Sequence, residues 1–467
     1  MRLEQMTRFV RLAMAAALCL VPAAVRAHGA LRSSTPPAGA QLRSAPTEIR
    51  LTFNEAVVAG ASRIALLGPS GPRTLGQARV RDQEPKVLVV AVDGPWTSGE
   101  HTVRWQIAGK DGHPVRGEFA FTILPEAIPA MPSPVDTPST DVAAAAPESP
   151  ATPGDPGEVG SPAFVAIRWL TFGAILVSLG VVVFGAIVAR VLVQPAAQDA
   201  WARASRLGIW AALGALALAA IRLNAQVRAF GGHLGDLGLL RGLTVGTAWG
   251  AGLMLQCFGA GVLVYTFRRV RPIAGPQVVA FVGVLVLALS PALSGHAAAE
   301  GTVAVLLDWA HVIGAGGWLG TLLILLAAGV PATRSLSMEA QAPAVKDLVV
   351  RFSRVALCFA GVAALTGAVA SWRNLGTWEG LLASPYGRLL LIKLAILSVV
   401  GATGAWNWRV VTPRLGTPAG TAQLRRTATF EVAVAVAVLL ATAVLVATPP
   451  PMEPSAMAAV DGAGGRR

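Results

Sequence analysis

Residues 164–189 read FVAIRWLTFGAILVSLGVVVFGAIVA, a 26-residue run interrupted by one charge, Arg168. A helix of about 20 apolar residues crosses a hydrocarbon core of about 30 Å, so this run is long enough to span a bilayer. Further windows of the same character follow near 207–225, 243–266, 276–296, 302–328, 350–371, 387–407 and 429–448. Together with the first they predict an all-α polytopic membrane domain of eight transmembrane helices over 161–450.

The composition agrees. Of 467 residues, 54% are apolar and 13% charged, with mean hydropathy +0.59. Soluble domains carry about 25% charged residues, so a single soluble globular protein is excluded. The formal net charge is +13, from 38 Lys+Arg against 25 Asp+Glu. In a soluble chain that excess would suggest nucleic acid, but here most of it lies in short loops between apolar runs. Alternate loops are rich in cations: Arg190, Arg203 and Arg206; Arg268, Arg269 and Arg271; Arg334 and Lys346; Arg409, Arg414, Arg425 and Arg426. The intervening loops hold chiefly Arg228, Arg241 and Arg373. Positive loops stay on the cytoplasmic side, so the first helix is expected to run inward and both ends of the mature chain to lie outside. Cys19, Cys257 and Cys358 all sit in apolar runs, which excludes a disulfide framework.

Upstream of the first span the character differs. Arg2, Arg8 and Arg11 precede the apolar run Leu12 to Val21, and Val25-Arg26-Ala27 suits signal peptidase, so 1–27 read as a signal peptide. From 28 to 125 the pattern is β: Ile49, Leu51 and Phe53 alternate with polar residues, as do Val103, Trp105 and Ile107, and Phe119, Phe121 and Ile123. Such short strands, punctuated by Gly/Pro/Ser clusters, predict an antiparallel sandwich. Residues 126–160, rich in Pro and Ala, read as an extended linker, and 451–467 as a disordered tail.

Cleavage after Ala27 would make His28 the first residue. Its α-amine, which titrates near 8, and its ring Nδ1 would then close a chelate ring on one metal ion. Asp111-Gly112-His113 supplies a carboxylate and a second imidazole at i and i+2, on one face of an extended strand. Three nitrogens with one oxygen suit tetragonal Cu(II). The stretches that carry these donors resemble a known family. HGALRSSTPPAG at 28–39, LTFNEAV at 51–57, GEHTVRW at 99–105 and DGHPVRGEFAFT at 111–122 resemble the CopC family of periplasmic copper-binding proteins. The resemblance implies a Greek-key β-sandwich that binds Cu(II) through His28, Asp111 and His113. Residues 28–124 contain no methionine, which argues against a thioether Cu(I) site there. His101 stands where the family more often has an aromatic residue, and reads either as a strand side chain or as an accessory ligand.

In the membrane half, ionisable groups mark function by default. Asp308 and His311 lie at i, i+3 on one helical face, with His311 near mid-membrane; His296 stands at the outer end of the fourth span and His233 lies in the outer loop before the third. These four are the candidate membrane pathway. Arg168, Arg222 and Lys393 read as snorkelling cations or partners of a carboxylate. Met254 and Cys257 form an i, i+3 soft pair, expected to pack in the bundle interior. Trp169, Trp309, Trp372 and Trp406 are expected in the aromatic belts. WAHVIGAGGWLG at 309–320, GRLLLIKL at 387–394 with Asn407, and LRRTATFE at 424–431 resemble the CopD family of copper-resistance membrane proteins. Fusion of the two families implies copper uptake.

The expected protein is a non-enzymatic, multi-pass inner-membrane copper protein with its N-terminal domain and C-terminal tail on the periplasmic side. Its expected partners are the copper ion, the lipid bilayer and periplasmic copper chaperones, with no nucleic acid. Two other readings remain open. One is a haem- or metal-dependent membrane oxidoreductase; the other is copper sequestration without transport. No P-loop is present, which argues against ATP-driven pumping.

Overall fold

The computed structural model describes residues 31–93, 95–109, 112, 114–128, 161–269, 276–295 and 297–448. The expected signal peptide, the linker beyond residue 128 and the C-terminal tail lie outside these described residues.

Nine strands form the N-terminal domain: β1 (Leu31–Thr35), β2 (Gln41–Ser44), β3 (Glu48–Phe53), β4 (Arg63–Gly68), β5 (Gly71–Arg73), β6 (Arg79–Arg81), β7 (Glu84–Ala91), β8 (Gly99–Ala108) and β9 (Pro114–Ile128). They make two sheets, ordered β1-β3-β7-β6 and β2-β9-β8-β4-β5, with repeated crossings between them. The pairs are antiparallel except β2 with β9. The three alternating stretches supply the core: Ile49, Leu51, Phe53, Val103, Trp105, Ile107, Phe119, Phe121 and Ile123 are all buried. Trp105 packs edge-on to Phe53, with ring centroids 5.2 Å apart. Its indole lies over Gly117, its cross-strand partner, where a Cβ would meet the ring at 2.4 Å. β7 departs from alternation: Val87, Leu88, Val89 and Val90 are all buried. Successive side chains on a strand point to opposite faces, so the sheet is covered on both faces at this strand.

The C-terminal half is helical: α1 (Pro162–Val191), α2 (Ala196–Ala229), α3 (Leu237–Gly246), α4 (Ala248–Arg268), α5 (Pro276–Leu293), α6 (Thr302–Ser335), α7 (Met338–Leu375), α8 (Pro385–Arg414) and α9 (Ala419–Leu445). All but α3 and α5 are long and apolar enough to cross a membrane, which gives seven candidate spans among the described residues. The window expected at 276–296 is α5, an 18-residue helix about 27 Å long. The window expected at 243–266 is divided. Its first residues end α3, the chain turns extended at Thr247, and that hydroxyl caps α4 by accepting from the Gly250 amide at 3.0 Å. Asp236 caps α3 in the same way through the Leu239 amide.

Small residues set the tightest helix contact. A Cβ on Gly180 of α1 would lie 2.2 Å from the Gly320 carbonyl carbon of α6, and one on Gly320 would lie 2.0 Å from the Leu176 oxygen. Close approach through glycine is the usual route to strong packing where no hydrophobic drive exists between helices.

The inward stripe of α4 runs through Leu253, Gln256, Ala260, Leu263 and Phe267, at helical spacing. Met254 and Cys257 fall one step off it and are exposed, which corrects their expected interior packing. Trp372 and Trp406 are exposed on the bundle surface. Trp309 instead turns inward, donating from Nε1 to the Leu285 oxygen of α5 at 2.9 Å.

The sandwich sits on one end of the helical bundle. Ala61 and Ala108 pack with Val227, Phe230, Leu239 and Leu243 in one apolar cluster. Arg63 pairs with Asp236 at 2.8 Å, and Gln106 donates to the Ala229 oxygen at 3.0 Å. The pair is half exposed and contributes at most about 1 kcal/mol, so the seam rests on shape. Gly60 and Gly242 bring the two backbones together: a Cβ on Gly242 would lie 2.7 Å from the Gly60 carbonyl carbon. Gly242→Leu is therefore expected to lift the sandwich off α3. Hydrogen exchange would read this as lost protection at 58–62 and 226–232 with β8 and β9 still protected.

Candidate functional site

His28, Asp111, His113 and His296 fall outside the described residues. Gly112, between two of the expected ligands, is described. It has φ +82°, in the left-handed region that favours glycine. Its amide donates to the Gly109 oxygen at 2.9 Å, closing a turn at the end of β8. Its carbonyl accepts from Gln226 Nε2 of α2 at 2.7 Å. A Cβ here would lie 2.7 Å from Cβ of Trp249 and 3.1 Å from the Thr247 hydroxyl. Gly112, between Asp111 and His113 in the sequence, is thus pressed onto the helical half at the start of α4.

His101 is remote from that turn. It lies on β8, eight residues before Gly109, about 26 Å along an extended strand. It is fully buried, stacks on Phe121 at 5.6 Å, meets Trp96 edge-on at 5.0 Å and bonds through Nε2 to the Thr97 oxygen at 2.8 Å. This is a core side chain that takes an aromatic place; distance removes it as an accessory ligand.

His233 is exposed in the turn before α3, with Nδ1 accepting from the Gly235 amide at 3.1 Å. Asp308 and His311 are half-buried on α6. His311 Nδ1 lies 2.9 Å from the Ala363 oxygen and 3.2 Å from the Thr366 hydroxyl of α7. A backbone carbonyl only accepts, so Nδ1 carries the proton. The Thr366 hydroxyl donates to the Val362 oxygen at 2.7 Å and is an acceptor toward the ring. The neutral imidazole therefore presents its Nε2 lone pair, the arrangement that second-shell carbonyls impose on metal-binding histidines. Gly367 leaves room for the ring: a Cβ there would touch Cε1 at 3.0 Å. Lys393 of α8 is the cation whose charge reaches both Asp308 and His311. Among the described residues no group of three or more His, Cys, Asp or Glu could hold a metal ion. Asp308 and His311 thus form at most a two-donor station.

Glu431, the last residue of the 424–431 stretch, has its partner on α8. It is buried and accepts from Asn407 Nδ2 at 2.7 Å, while Asn407 Oδ1 accepts from Thr427 at 2.6 Å. Asn407 opens a π-helical turn, Asn407–Val411, which widens α8.

A β-sandwich seated on one end of a polytopic helical bundle, with a loop pinned to that bundle, defines a two-part membrane protein. The family comparisons divide the chain at the same place. The CopC domain matches residues 31–124, the copper resistance protein D-like N-terminal domain 159–306, and copper resistance protein D 346–445. The chain is 25% identical over 462 residues to the copper transport protein CutJ of Bacillus subtilis, covering 94% of this chain and 77% of that one. Copper resistance protein C of Pseudomonas syringae pv. tomato is 34% identical over 114 residues, 23% of this chain and 90% of that protein. The crystal structure of PcoC, a methionine-rich copper resistance protein from Escherichia coli, aligns at 30% identity over 21% of this chain and 99% of that chain, with TM-score 0.19. The chain belongs to the family that joins a CopC domain to a CopD membrane domain, a copper resistance and transport family.

Proposed function

We propose that this protein captures Cu(II) on the periplasmic face of the inner membrane and passes copper to or across that membrane. His28 supplies the α-amine and Nδ1, and Asp111 and His113 supply a carboxylate and an imidazole. Those donors complete a tetragonal set for Cu(II). The observation that carries the reading is the hydrogen bond from Gln226 to Gly112, because it fastens the turn between two of the ligands to the helical half. Copper released there has a short way to travel. His233, His296 and the Asp308/His311 station then form the route inward, with His311 Nε2 as the deepest nitrogen ligand on it.

The topology supports this orientation. Phe164 near the start of α1 and Val446 just after α9 line one cavity, together with Gln226 beneath the sandwich. A chain whose two ends meet at one face has crossed an even number of times. With seven long helices, α5 supplies the eighth crossing. Its final turn reaches Trp249 at the start of α4, where the Ser294 hydroxyl lies 3.4 Å from the Trp249 oxygen. Both ends of the membrane half then lie on the periplasmic side.

His311→Ala tests the route. The variant is expected to bind Cu(II) in the sandwich with unchanged affinity while cell-associated copper, measured by elemental mass spectrometry, falls to the level of a strain lacking the gene. Accumulation at the wild-type level would make the station structural. Loss of the gene also separates uptake from sequestration: uptake predicts less cytoplasmic copper, sequestration predicts more.

A further inference from the structure

Beneath the sandwich, at the end of the bundle that Gly112 touches, lies a cavity of about 60 Å³. It is lined by Arg168 of α1, Arg222 and Gln226 of α2, Trp249 of α4 and Ser294 after α5. That is room for a few water molecules. Among the described residues no lining residue is a histidine, cysteine, methionine or carboxylate. A site for bare copper this is not.

Among the described residues the charge in the cavity has no counterpart. Arg222 donates to the Gln256 side-chain oxygen, and its guanidinium lies 5.8 Å from the Trp249 ring. Arg168 donates from Nη1 to the Ala443 oxygen at 3.3 Å. Neither forms an ion pair among the described residues, although each guanidinium carries several further N–H donors. Gln256 is itself fixed by donating to the Ala215 oxygen at 2.8 Å, which holds Arg222 in place. Two cations that sense each other across one small cavity, inside helices that span a bilayer, repel unless a negative charge lies between them. Arginine is the side chain suited to gripping such a charge, through its rigid fork of donors.

We propose that this cavity binds one small monovalent anion, of the halide or short-carboxylate class, held by Arg168 and Arg222. The anion neutralises the paired guanidiniums at the seam where the sandwich meets the bundle. The site is independent of copper, and its test needs none.

Full-length protein in zwitterionic nanodiscs, incubated with ³⁶Cl⁻, is expected to show saturable binding of one ion per chain, displaced by bromide and by formate. Arg222→Gln and Arg168→Gln are each expected to weaken binding at least tenfold. Arg228→Gln, an exposed arginine outside the cavity, should bind as wild type does. Each variant is compared as a monodisperse particle, so that Arg168→Gln serves if Arg222→Gln fails to fold. No saturable binding to wild type, or full binding by both cavity variants, would overturn the proposal. So would loss of chloride binding when phosphatidylglycerol replaces the zwitterionic lipid at constant ionic strength, since the occupant would then be a lipid phosphate.

Discussion

His28→Ala is expected to weaken Cu(II) binding to the full-length protein by about 10³-fold, about 4 kcal/mol at 1.4 kcal/mol per decade. The expectation rests on one residue supplying two donors. If cleavage places His28 at the amino terminus, as proposed, its amine and Nδ1 would reach the same metal ion through a short chelate ring, so that binding one nitrogen would deliver the other. Alanine keeps the amine and removes the ring. The second half of the argument concerns the amine, and selective acetylation isolates it. Near neutral pH the α-amine, titrating near 8, reacts ahead of lysine, titrating near 10.4. Acetylated wild-type protein is expected to lose affinity comparably, although every side chain is intact. Competition with a Cu(II) chelator of known affinity measures both. An unchanged affinity after acetylation would show that the amine is no ligand, and the copper assignment of His28 would fail with it.

The sandwich was legible because its strands bury one face each. Ile49, Leu51 and Phe53 alternate in the chain and are all buried in the fold. β7 was not singled out, because a strand with both faces covered shows a continuous apolar run, Val87 to Val90, that periodicity cannot assign. In the membrane half, hydropathy finds apolar stretches but not the polar breaks within them. Thr247 ends one helix and caps the next inside a single apolar window. The Met254/Cys257 pair was misplaced for a related reason. Composition gives depth in a bilayer, whereas rotation about the helix axis is set by neighbours such as α5, which a single sequence does not reveal. The docking of Gly112 on Gln226 joins residues 114 positions apart and leaves no local signature. The paired arginines were visible as rare charges in apolar runs, but that they share one cavity follows only from the packing of α1 against α2.

The largest effect on the fold itself is expected from Gly320→Val. On a helix surface a new side chain is normally accommodated by a neighbouring side chain that swings away. At Gly320 the obstacle is backbone: the Leu176 oxygen at 2.0 Å and the Gly180 nitrogen at 3.1 Å from the added Cβ. Neither moves without its helix, and ordinary contact needs about 3.4 Å, so α1 and α6 must part by more than 1 Å. That separation also uncouples the layers on either side, since Gly316 receives Leu179 and Gly317 receives Phe359 of α7 at the same level. Overpacking of this kind costs about 1–3 kcal/mol even where side chains can yield, and here the obstacle is backbone. Gly320→Val is therefore expected to abolish monodisperse protein on size exclusion in detergent, while Gly361→Val, with nothing within 4 Å of its Cβ, should elute as wild type does. Because α6 carries Asp308 and His311 about 3.3 and 2.5 turns from this contact, Gly317→Ala, whose Cβ meets the Phe359 ring, is the milder and informative companion. It is expected to fold with reduced thermal stability and to lose copper accumulation in proportion to that loss. Wild-type stability in Gly320→Val would mean that α1 and α6 do not meet through these glycines, and the bundle that holds His311 against α7 would have to be rebuilt.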